Sequence, residues 1–108
     1  MDDSTAELRD VLTEARALLA RPDNNFDRSS WRDAEAVLRE MNCLIATLER
    51  GRTPSGLAMS ALFAPTGPIQ EVSISSGWAD EFLALARRFD AAAEAFGNRG
   101  PWWRRLWE

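Results

Sequence analysis

The sequence predicts a small all-α domain on three observations. Apolar side chains return at three- and four-residue steps through three long stretches, and residue types that start and stop helices stand at the ends of those stretches. The one short run in which apolar and polar residues alternate, at 72–76, has no second strand to pair with. The chain of 108 residues is expected to form one domain over 1–108, with a single core that needs no disulfide or metal to hold it. The expected architecture is a bundle of three main helices. A short fourth helix or structured turn lies between the second and third, and an aromatic C-terminal segment spans 98–108.

The first helix is expected over about 5–20. Ser4 and Glu7 have capping-box spacing, and Leu8, Val11, Leu12, Ala15, Leu18 and Leu19 fall on one face. Pro22 ends it, because proline disfavours helical geometry in the residue before it. A polar loop over 22–29 follows, with Phe26 tucked against the helix pair. Its Asp and Asn residues invite a calcium reading, but the glycine and terminal glutamate of an EF-hand loop are missing.

Ser30 is the expected N-cap of a second helix over 31–50, with Gly51 at the position that favours a left-handed residue. Ala34, Val37, Leu38, Met41, Leu44 or Ile45, and Leu48 form its apolar stripe, so the first two helices should make a hairpin. Cys43 lies within this helix and is expected to be a small, partly buried residue.

A structureless run over all of 51–77 would be unusual in a compact domain. Residues 57–63 are apolar enough for one or two helical turns stopped by Pro65. Residues 68–76 read as a short helix begun by Pro68, with Ile69 and Val72 three apart. An extended strand is the alternative there, because Val72 and Ile74 alternate with serines. A serine of the group Ser73, Ser75 and Ser76 is expected to cap the last long helix, over 78–96. That helix has Trp78, Phe82, Leu85, Phe89, Ala92 and Phe96 in near-heptad rhythm, with Ala86 and Ala93 allowing close approach of a neighbour. A further short helix begun at Pro101 would place Trp102, Trp103, Leu106 and Trp107 on one side.

Composition limits the chemistry. The chain has no lysine, no histidine and no tyrosine, and a single cysteine, Cys43. Schiff-base chemistry, a P-loop lysine, the usual general base, the usual zinc ligand and an intramolecular disulfide are therefore excluded. The all-arginine basic set fits the coding bias of a GC-rich bacterium. The net charge of −4 argues against nucleic acid as a partner. No stretch is apolar enough to span a bilayer and the N-terminus does not resemble a secretory signal, so a cytoplasmic protein is expected.

Carboxylates are the only abundant catalytic material. Glu7, Asp10, Glu14, Glu35, Glu40, Asp80, Glu81, Asp90 and Glu94 alternate with arginines as solvated helix faces do. No catalytic, cofactor or metal residue is assigned and no cofactor is expected. The feature that points to a partner is the segment Trp102, Trp103, Arg104, Arg105, Leu106 and Trp107. Tryptophan and arginine dominate binding hot spots, and residues 99–108 carry +2 while the rest carries −6.

The function expected is a non-enzymatic protein-protein interaction module of immunity, antitoxin or adaptor type, with an unknown protein partner and a homodimer also in view. The alternatives are a carboxylate-based hydrolase dependent on magnesium or manganese, and a peripheral membrane-associated protein using the tryptophans at the lipid interface.

Overall fold

The computed structural model describes residues 3–26, 31, 33–52, 56–64 and 67–97. These residues form an all-α fold in the order α1 (Asp3–Leu19), α2 (Ala34–Glu49), α3 (Gly56–Phe63), α4 (Pro68–Ser76) and α5 (Ala79–Gly97), with no strand among them. The three long helices are α1, α2 and α5. The apolar run before Pro65 is the two-turn helix α3, and 68–76 is helical rather than extended.

The stripe of α1 is entirely removed from solvent at Leu8, Val11, Leu12, Ala15 and Leu19. It packs against α2 on one flank and α5 on the other. α1 already includes Ser4, so that residue is not its N-cap. Nothing in Asp3 and Ser4 forbids helical geometry, and acidic residues are favoured at the positive end of the helix dipole.

α2 also starts elsewhere than expected. Its N-cap is Asp33, whose Oδ1 accepts the Ala36 amide at 3.0 Å, and Ser30 lies outside the described residues. Starting the helix at Ala34 leaves Trp31 outside the helical spiral. Its ring is 9% exposed and its Nε1 donates to Glu40 Oε2 at 2.8 Å. Val37, Met41 and Leu48 are buried, and both Leu44 and Ile45 are partly so. Cys43 is exposed, contrary to expectation. α2 meets mainly α1, so the face bearing Cys43 turns outward, while the adjacent Asn42 Oδ1 accepts Arg16 Nε of α1 at 2.6 Å.

The stop after α2 follows the sequence reading. Gly51 adopts φ 77°, and the amides of Gly51 and Arg52 bond back to the carbonyls of Leu48 (3.0 Å) and Thr47 (3.1 Å), which is a Schellman ending. α4 ends the same way. Gly77 has φ 86°, and the Trp78 amide reaches Ser73 O at 2.9 Å.

The turn from α3 to α4 runs through Gly67, which is buried and precedes Pro68 at the first helical position. A Cβ at Gly67 would collide with the Ala61 carbonyl oxygen and press on those of Leu62 and Ala64, so only glycine lets the two short helices come this close. The pair presents Met59, Leu62, Phe63, Ile69 and Val72 to the core. Phe63 stacks on Phe89 and Phe82 of α5 with centroids 4.5 and 6.4 Å apart, the offset arrangement that aromatic quadrupoles favour.

Polar bonds tie the loop after α1 to the α4–α5 junction. Trp78, 1% exposed, donates its indole N–H to Asn24 Oδ1 at 2.8 Å. Asn24 Nδ2 donates to Leu18 O at 2.8 Å. Ser76 Oγ accepts the Asn25 amide at 2.8 Å, so this serine clasps the loop rather than capping α5. Phe26 packs against the core as expected.

Two outcomes follow for stability. Gly67→Ala should cost about 1–3 kcal/mol through overpacking, lowering the thermal midpoint by on the order of 10 °C in a domain of this size; a circular dichroism melt with an unchanged midpoint would refute the close approach. Asn24→Ala should cost about 1–3 kcal/mol by leaving a buried indole donor unpaired. The same change in a Trp78→Phe background should cost less, which a double-mutant cycle in urea reads directly.

Candidate interaction surface

α1 and α5 run antiparallel, because one groove is lined by Glu14, Ala17, Leu18 and Arg21 of the α1 side and by Glu81, Ala84, Leu85 and Arg88 of α5. The groove encloses about 380 Å³. Its floor is apolar: Leu85 is buried and Leu18 half-buried, while the small side chains of Ala17 and Ala84 leave room above them. Its rim is charged.

Arg88 organises one end. Its Nε donates to Glu7 Oε1 at 2.9 Å and its Nη1 lies 2.7 Å from Glu14 Oε2. The hydrogen bonds that Arg88 donates to Glu7 and Glu14 push the guanidinium above its ordinary pKa, so it stays charged at any working pH. Glu7 and Glu14 stand seven residues apart, two turns along one face of α1. That spacing is the signal by which a shared cation on a facing helix is legible, and the sequence reading missed it by treating each acid as locally paired. At the other end, Glu81 and Arg21 have no ion-pair partner among the described residues.

A second concavity of about 540 Å³ lies beside the loop, lined by Ala20, Arg21, Pro22, Asn24, Asn25, Phe26, Asp33 and Ala34. Its principal polar groups are already engaged. Asn24 holds Trp78 and Leu18, and Asp33 caps α2. Among the described residues, the exposed large apolar side chains are Ile74 (61%) and Leu83 (45%), one on α4 and one on α5; isolated residues of this kind are ordinary on a protein surface.

Among the described residues, the carboxylates singled out from sequence do not converge on a metal position; the Glu94 side chain lies outside them. Glu7 and Glu14 meet at Arg88, Asp10 lies 3.4 Å from Arg9, and Glu40 takes the Trp31 indole. Among the described residues, no three of Asp, Glu and Cys are grouped to hold a metal ion. None of the described helices is long and apolar enough to cross a membrane. Trp102, Trp103, Arg104, Arg105, Leu106 and Trp107 lie outside the described residues.

No protein-family model matches this sequence, and no curated protein or solved structure is significantly similar to it.

Arg88→Met should lower stability only modestly, by about 0.5–1 kcal/mol, because the guanidinium is 39% exposed and solvent screens exposed pairs. The loss should shrink at about 1 M salt, where the Debye length is roughly 3 Å. Urea denaturation at low and high salt tests this. A loss of several kcal/mol indifferent to salt would assign Arg88 a packing role instead.

Proposed function

We propose that this chain is a non-catalytic protein-interaction module that captures a protein partner through the tryptophan- and arginine-rich segment Trp102, Trp103, Arg104, Arg105, Leu106 and Trp107. The observation that carries the reading is how the polar side chains of the described helices are used. Arg88, Glu7, Glu14, Glu40, Asn24 and Asp33 are each committed to a bond that holds the fold. Arg88 is held by Glu7 and Glu14, Glu40 by the Trp31 indole, Asn24 by Trp78 and Leu18, and Asp33 by the Ala36 amide. Among the described residues, nineteen apolar side chains gather in one buried cluster. Three tryptophans within six residues bring a large aromatic surface next to arginine, which is the composition of a binding hot spot.

The test is the full chain carrying Trp102→Ala, Trp103→Ala and Trp107→Ala, used as bait in the lysate of its source cells beside the parent protein. Capture of the principal partner should fall at least tenfold, the equivalent of about 1.4 kcal/mol, with the helical circular dichroism signal retained. Undiminished capture would remove the segment from the binding surface. Loss of anionic-vesicle cosedimentation in the same variant, with protein capture intact, would replace a protein partner with a lipid surface.

A further inference from the structure

We propose that α2 is a flap: it opens from α1 as one unit, taking Trp31 with it, while α1, α3, α4 and α5 stay packed together. Such opening is independent of what residues 102–107 bind.

The first reason is how the core divides. Of the nineteen apolar side chains in the buried cluster, α2 supplies Val37, Met41 and Leu48, and Trp31 stands just before it. The other fifteen belong to α1, α3, α4 and α5, with Trp78 at the start of the last, so a core remains when α2 leaves. Among the described residues α2 packs chiefly on α1. α5 packs on both α1 and α4, and Phe63 of α3 stacks on its Phe82 and Phe89. Lifting α2 therefore parts one main helix pair, whereas removing α1 or α5 parts two. Proteins open in units set by such differences in burial and bonding.

The second is where the polar bonds run. Arg16 Nε donating to Asn42 Oδ1 joins α2 to α1 on an exposed edge, where water replaces such a bond at little cost. The Asp33 cap on Ala36 and the Trp31 indole on Glu40 lie within the unit that moves, and neither has to break. α1 and α5 are joined instead by Arg88, held by both Glu7 and Glu14.

The third is where the chain is pinned. Asn24 bonds to Leu18 and Trp78, the Asn25 amide bonds to Ser76, and Phe26 packs on the core. The pinned chain thus reaches Phe26, while α2 begins only after Asp33. At the far end Gly51 turns the chain at φ 77°, and among the described residues nothing stands within 4 Å of the place a Cβ would take. That turn is not wedged by a neighbour. Opening uncovers Val37, Met41 and Leu48 together with the flank of α1 that Arg16 marks, and leaves the flank bearing Glu7 and Glu14 closed. An apolar strip that the closed molecule hides is thereby offered and withdrawn.

Amide hydrogen exchange of the full chain, followed by NMR at rising sub-denaturing urea, tests this. Relative to their intrinsic rates, the amides of Met41, Leu44 and Ile45 should exchange about tenfold or more faster than those of Leu12, Ala15, Phe82 and Phe89. They should also share one urea slope, smaller than that of α5, because less surface is exposed. Arg16→Ala should quicken the α2 amides by about threefold without quickening those of α5; α1 is helical whether α2 is open or closed, so its helix propensity cancels. Protection in α2 equal to that in α1 and α5 overturns the proposal. So does α2 exchange with no urea slope, which is local fluctuation and not the movement of a unit. Arg16→Ala quickening all three helices by one factor overturns it too, because α2 then leaves only when the whole fold does.

Discussion

One stripe on α1 has to serve two neighbours. Leu8, Val11, Leu12, Ala15 and Leu19 span an arc of roughly a third of the helix circumference, and every one is inaccessible to solvent. A stripe of that width cannot face two helices on opposite sides, so α2 and α5 are drawn to the same side of α1 and splay apart. α4 packs on α5 and α3 on α4, and their Phe63, Leu62, Ile69 and Val72 join the same cluster. The flattened shape, 36 × 33 × 20 Å, is the result. It also explains why the groove sits where it does. The flank of α1 carrying Glu14, Ala17, Leu18 and Arg21 lies beyond the edge of the stripe, and small alanines there and on α5 leave a depression instead of a contact.

The hydrophobic driving force is non-directional, so specific bonds help to fix how the early and late parts of the chain meet. The polar bonds supply that. Asn24 and Asn25 reach Trp78 and Ser76 across more than fifty residues of sequence. Among the described residues, α2 is joined to α1 by the Arg16–Asn42 bond, and its Glu40 accepts the Trp31 indole. α2 is therefore the element held chiefly by hydrophobic contact with one partner, and α5 the element held by contact, stacking and ion pairs together.

Much of this was legible in the sequence, for reasons that differ by element. The stripes of α1 and α5 and the stop at Gly51 are local: period and backbone conformation are written in neighbouring residues, and reading them needs no tertiary information. The choice between helix and strand at 68–76 was decided by Pro68 at the first position and by the lack of a pairing strand. The readings that failed concern side chains that choose between nearby and distant partners. Ser30 and Asp33 are both good cap types three residues apart, and packing of Trp31 selects the second. Ser76 has the composition of a cap but takes an amide from a loop that no local rule brings near. Cys43 was expected to be partly buried because its helix is amphipathic, yet only one flank of that helix has a neighbour. For the groove the sequence offered one clue, the seven-residue spacing of Glu7 and Glu14, while the facing Arg88 arrives eighty-one residues after Glu7.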